Sequence, residues 1–108
     1  MFLVDDVLTS DKLIFILNFT WKIRSKWESI GLALGIDQGT LDAIKKTEKH
    51  VVSNCFQSML NQWLHGIPGV PKPTLLTLAE VLRSPTVGEV NLSDTIYDPQ
   101  GNYIHTYM

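Results

Sequence analysis

The chain has 108 residues, a mass of 12.2 kDa and a formal charge of −2, which allows one domain that buries roughly two-thirds of the surface its unfolded form exposes. With 44% hydrophobic and 19% charged residues it does not have a disordered composition, and its longest unbroken apolar run, Leu13–Leu17, is far too short for a membrane span. A single cysteine, Cys55, excludes an intrachain disulfide and a Cys-pair zinc site. The opening MFLVDD carries two aspartates and no early lysine, unlike a signal peptide. The expected setting is therefore the cytoplasm, with no membrane insertion. A pI near 5.8 argues against nucleic acid, because phosphate contacts need a local excess of Lys and Arg.

No internal repeat or low-complexity tract is present, and turn residues divide the chain. Residues 1–10 form an N-terminal extension. Thr9 and Ser10 can cap a first helix over Asp11–Ile23, with Leu13, Ile14, Leu17 and Trp21 at helical spacing. Ser25 and Glu28 have capping-box spacing before a second helix whose face is Trp27, Ile30, Gly31 and Leu34. Gly35 suits the left-handed position after it. Asp37 can cap a short third helix through Leu41 and Ile44. A fourth helix carries the widest apolar stripe, Val52, Cys55, Phe56, Met59, Leu60, Trp63 and Leu64, and is expected at the centre of the core.

Gly66, Pro68, Gly69, Pro71 and Pro73 then forbid regular structure. Thr74 can cap a fifth helix with Leu75, Leu78, Ala79 and Leu82 on its buried face, ended by Ser84-Pro85. Thr86 and Glu89 have the second capping-box spacing, opening a sixth helix that buries Val87, Leu92 and Ile96. The bundle is expected over 11–98 and a C-terminal tail over 99–108. No segment alternates with period two, so the expected architecture is all-α, six short helices in an antiparallel bundle.

Chemistry-bearing residues are sparse. His50, His65 and His105 have no metal-ligand spacing, and His65 at a helix end is favoured by the negative end of the helix dipole. Cys55 lies inside the apolar stripe, where a thiolate is desolvated, so it is expected to be structural. Gly31, Gly35 and Gly39 fit neither a dinucleotide nor a phosphate loop and are expected at close helix packing and a turn. Asn18 and Asn91 match the glycosylation triplet, which carries no meaning without a secretory leader. No catalytic constellation, cofactor or small-molecule substrate is expected.

In this order the features resemble the death domain, a member of the death-fold superfamily. Trp27-Glu28-Ser29-Ile30-Gly31 with Leu34-Gly35-Ile36 looks like that family's second helix, and Leu41-Asp42-Ala43-Ile44 like its third. Cys55 through Leu64, with Trp63 ending the stripe, is close to the fourth. Pro73-Thr74 with Leu75, Leu78 and Leu82 resembles the fifth, and Val87-Gly88-Glu89 with Leu92 and Ile96 the sixth. The resemblance implies a Greek-key bundle without catalytic activity that binds other death-domain proteins, homotypically or heterotypically, in apoptotic or innate-immune signalling, including higher-order homo-oligomers. Leu75 stands where many members have an aromatic. The death-effector charge motif Arg-x-Asp-Leu is missing, and no break is evident inside the first helix, as caspase-recruitment types have.

A helix-turn-helix DNA-binding domain is the alternative. Ile30–Leu41 has its cadence, with glycine at the turn and Gln38 opening the reader helix. Asp37 and Asp42 would then face phosphate, with Lys45, Lys46 and Lys49 as candidate backbone contacts.

Charge order suggests where an interaction module makes contact. Residues 12–49 carry a net +3, residues 50–108 a net −2 and the first eleven residues −3. A basic face of Arg24, Lys45, Lys46 and Lys49 is expected to meet an acidic face of Glu80, Glu89 and Asp94 on a neighbouring copy, a heterologous contact that propagates.

Overall fold

The computed structural model describes residues 5–96. A 3₁₀ turn (Ser10–Lys12) leads into α1 (Leu13–Thr20), and a 3₁₀ segment (Trp21–Lys26) into α2 (Trp27–Leu34). Then come α3 (Gln38–Thr47), α4 (Val52–His65), α5 (Leu75–Arg83) and α6 (Val90–Ile96). The described residues contain no strand, so the all-α expectation holds. An isolated bridge joins Val7 to Thr74, beside a 2.7 Å bond from the Leu8 amide to the Pro73 carbonyl. Leu8, from the expected extension, is 1% exposed and belongs to the core. His105, the end of the bundle at 98 and the tail 99–108 lie outside the described residues.

The expected central role of α4 follows from its packing. It lies against α1, α2, α3 and the 3₁₀ segment, and Cys55, Phe56, Met59, Leu60, Trp63 and Leu64 are all buried. Trp27, Leu78 and Leu82 join them in one core. Val52, expected on the stripe, is instead 42% exposed, because it opens the helix where the chain is still leaving the α3 corner. Among the helices, α2 packs against both α4 and α5, and α5 in turn against α6.

The first helix differs from expectation. It is broken after Thr20, whose hydroxyl donates back to the Ile16 carbonyl at 2.6 Å, a back-bond of the kind that bends helices. The backbone tightens into 3₁₀ geometry, with Ile23 at φ −109°, ψ 18°. The break rotates the following residues, so Ile16, Leu17, Thr20 and Ile23 face the core while Ile14 and Trp21 are 63% and 42% exposed. The expectation of an unbroken first helix, used to set caspase-recruitment types aside, does not hold.

Local capping divides into kept and lost sites. Asp37 caps α3, accepting from the Thr40 amide at 3.2 Å and its hydroxyl at 2.5 Å. These bonds hold its carboxyl below the ordinary value of 3.8, so their contribution is present above that pH and fades as pH falls through the lowered value. Thr74 caps α5 by accepting from the Thr77 amide at 3.0 Å. Neither expected capping box forms. Ser25 lies inside the 3₁₀ segment, two residues before α2, and α6 starts only after Glu89. Both glutamates reach lysines instead, Glu28 to Lys45 and Glu89 to Lys26.

Two helix ends use the same hydrogen-bond pattern with different residues. After α2, Gly35 (φ 101°) donates to Leu32 and Ile36 to Gly31, both at 3.0 Å, which is a Schellman motif. After α3, Lys49 donates to Lys46 at 3.3 Å and His50 to Lys45 at 2.9 Å, the same pair of bonds. Here the left-handed positions are occupied by Lys49 (φ 54°) and His50 (φ 65°), conformations that cost a residue with a Cβ about 1–2 kcal/mol.

Two stability predictions follow. Trp63 is fully buried and its indole N–H has no acceptor among the described residues. Trp63→Ala is expected to cost about 3–5 kcal/mol in urea unfolding, and Trp63→Phe less than half of that, since it also removes an unsatisfied donor. A near-neutral Trp63→Ala would contradict the packing. Lys49→Gly is expected to stabilise the fold by about 0.5–1 kcal/mol, the relief of strain exceeding the added chain entropy; a loss of stability would contradict it.

Candidate interaction surface

Fixing the charges in space changes what the sequence tally offers. Lys45, on α3, lies 3.1 Å from Glu28 on α2. Glu89 lies 2.5 Å from Lys26, whose ammonium also donates to the Val87 carbonyl at 2.9 Å. Asp94 accepts from Arg83 at 2.7 Å, and the same guanidinium donates to the buried Ser93 hydroxyl at 3.1 Å. Ser93 in turn donates to the Ala79 carbonyl at 2.6 Å, tying α6 onto α5. Three of the seven charges expected on opposed faces are thus paired inside the chain. Arg24, Lys46, Lys49 and Glu80 keep their charges toward solvent, with no carboxylate or cation partner among the described residues.

Arg24 makes its contacts within its own segment. It sits on the 3₁₀ segment, 4.6 Å over the Trp21 ring, and donates to the Trp21 carbonyl at 2.9 Å. This guanidinium–aromatic stack is a contact at an exposed position, of the kind worth about 0.5–1 kcal/mol. Beside it is a cleft of 290 Å³ lined by Lys22, Arg24, Ser25 and Val52. Sequence reasoning missed this corner by assigning Trp21 and Val52 to the core. The signal that bears on it is Thr20, a β-branched hydroxyl at the end of an apolar turn, positioned to bond back to Ile16.

The other recesses flank α4. One, of 490 Å³, is lined by Leu13, Glu48, Asn54, Gln57, Ser58 and Asn61. The other, of 380 Å³, lies between α3 and α4 over Gly39, Thr40, Ala43 and Thr47, with Ser58 and Gln62 on its far wall. Amides, the Ser58 hydroxyl and the Glu48 carboxylate line the first, and the second mixes hydroxyls with the apolar Ala43 and Ile44. Cys55 is buried, and burial pushes its thiol up from the ordinary value, so it is a poor nucleophile. His65 donates from Nδ1 to the Asn61 carbonyl at 2.8 Å, closing the last turn of α4. Gly31 is where α2 and α3 approach closely, since a Cβ there would lie 2.8 Å from Leu41 Cδ2. Gly35 makes the turn, and Gly39 follows the Asp37 cap.

No family model, curated protein or solved structure matches the chain. Among the described residues, no helix is long and apolar enough to cross a membrane.

The pairs that hold α6 generate a prediction. Glu89→Lys places a second cation against Lys26 and is expected to lower stability by about 1 kcal/mol in the isolated chain. Adding Lys26→Glu in the same molecule should recover most of that loss. Additive losses in the double variant would show that the two side chains do not interact.

Proposed function

We propose that the chain is a non-catalytic protein-interaction module of the death-domain type, a six-helix Greek-key bundle that assembles with other such modules in cytoplasmic apoptotic or innate-immune signalling. The observation carrying this reading is the coincidence of motif order with helix position. The stretch from Trp27 to Gly35 coincides with α2 and its left-handed end, and Leu41 and Ile44 are the buried pair of α3. Trp63 lies near the end of a wholly buried stripe on α4, and Pro73-Thr74 is the entry to α5. Each resembled residue that should lie in the core does so. The clefts around α4 offer hydrogen-bonding groups suited to recognition.

The helix-turn-helix reading has less support. The turn at Gly35 is explained by the Schellman bonds alone. Asp37 and Asp42 stand at the start of α3, where Asp42 accepts from Gln38 at 2.9 Å, occupying the residue that would read a base. Lys45 is neutralised by Glu28. The break between α1 and the 3₁₀ segment bears on which death-fold class the chain resembles, and it brings the caspase-recruitment type back beside the death domain.

Sedimentation of the purified chain, alone and mixed with purified death-fold modules, tests the proposal. Association with at least one such module is expected, without change in helical content. A chain that stays monomeric in every mixture at high micromolar concentration, yet binds a DNA duplex with steep salt dependence, would favour the alternative.

A further inference from the structure

Resting on the reading of the chain as an interaction module, we infer that the corner formed by Trp21, Lys22, Arg24, Lys49 and Val52 docks an acidic, apolar-centred segment of a different protein rather than a second copy of this chain. The first reason is charge. The described cations Lys12, Lys26, Lys45 and Arg83 have carboxylate partners within the chain. Lys22, Arg24, Lys46, Lys49 and Lys72 have none among the described residues, and the first two share one corner. Lys22 and Arg24 line the cleft there, and Lys49 lies three residues before Val52, which closes its other side. Unpaired cations around a recess are complementary to a partner's carboxylates and set register and encounter rate.

The second reason is the apolar floor. Trp21 and Val52 are each 42% exposed at this corner, and the Arg24 guanidinium covers one ring face of Trp21. Tryptophan and arginine are both among the residue types enriched where binding energy concentrates at interfaces. The third reason is Lys49 itself. It holds the left-handed position of a Schellman motif, where glycine is lower in energy, and it is exposed with no carboxylate partner among the described residues. A partner's carboxylate would use that charge.

A second copy is a poorer occupant because most of its described acidic groups are engaged at home. Glu28, Glu89 and Asp94 are ion-paired, Asp11 is bonded to Thr9 and Lys12, Asp37 caps α3, and Asp42 holds Gln38. Glu80 stands by itself on α5, and Glu48 faces the recess next to the basic corner. Three cations on a chain of net charge −2 also give a weak footprint for nucleic acid, whose affinity rises with the number of phosphates contacted.

The test uses the full chain, isotopically labelled, titrated with a short synthetic peptide carrying glutamates around a Leu-Phe pair. Its glutamine counterpart and a thymidine oligonucleotide serve as comparison probes. The glutamate peptide is expected to shift amide resonances of residues 21–25 and 49–52, and to bind less tightly as salt rises. Trp21→Ala and Arg24→Glu are each expected to weaken it about tenfold. Lys49→Gly should weaken it while raising the unfolding midpoint, a divergence that damage to the fold cannot produce. No shift at the corner, equal binding of the glutamine peptide, or tighter binding of the oligonucleotide there would overturn the inference. So would self-association of the chain that Arg24→Glu abolishes. Association with death-fold modules that survives Arg24→Glu overturns this site alone and leaves the proposed function standing. Peptide binding at the corner with no module bound does the reverse.

Discussion

Everything else in the fold is built on the burial of α2. Trp27, Ile30 and Leu34 are each sunk into the core, and at Gly31 the helix comes close enough to α3 that a Cβ would press 2.8 Å from Leu41, itself fully buried. Burying three such side chains contributes roughly 1.5–3 kcal/mol apiece, of the order of the 5–15 kcal/mol that a whole domain retains. Because α2 packs against both α4 and α5, it joins the layer of α1, α3 and α4 to the α5–α6 pair. The bond from the Leu8 amide to Pro73 and the Lys26 ammonium on Val87 and Glu89 brace the same junction from either side.

That arrangement determines which charges are left for the surface. Holding α6 requires Arg83 on Ser93 and Asp94, and holding the 87–89 turn requires Lys26 on Glu89. The acidic half of the chain is thereby used in fastening its own helices, while the cations of the 3₁₀ segment and the end of α3 face outward. Exposed ion pairs add little stability one at a time. Their larger consequence here is to remove carboxylates from the surface and leave a basic, aromatic corner uncompensated.

The sequence was most legible where a local rule met no competitor. The α4 stripe, the Asp37 and Thr74 caps and the left-handed Gly35 all follow from side chains acting within one or two turns, and each is found as expected. Illegible features involve partners far away in the chain. Glu28 and Glu89 have ideal capping-box spacing, yet Lys45 and Lys26, 17 and 63 residues away, draw both carboxylates off. Trp21 continues the helical phase of Leu13 and Leu17, but the Thr20 hydroxyl breaks the helix one residue earlier and turns the ring outward. A count of charges along the sequence likewise records how many there are, not which have found a partner.

The same distinction explains why the core and the surface carry different kinds of information. In the core, identity follows from volume and phase, so Trp63 can sit fully buried with its N–H unpaired among the described residues because the rest of its indole fills the centre of α4's packing. At the end of α3, identity departs from what folding alone favours. Gly35 and Lys49 occupy equivalent positions in two equivalent motifs, made by the same pair of backbone bonds. One carries the residue that the geometry prefers and the other a strained lysine with its charge in solvent. The backbones differ as well as the residues, since Gly35 lies at φ 101°, whereas Lys49 at φ 54° is followed by a second left-handed residue, His50 at φ 65°. The surroundings differ too: Gly35 faces Pro71 and Val70 of the loop, whereas Lys49 is exposed three residues before Val52, which lines a cleft with Lys22 and Arg24.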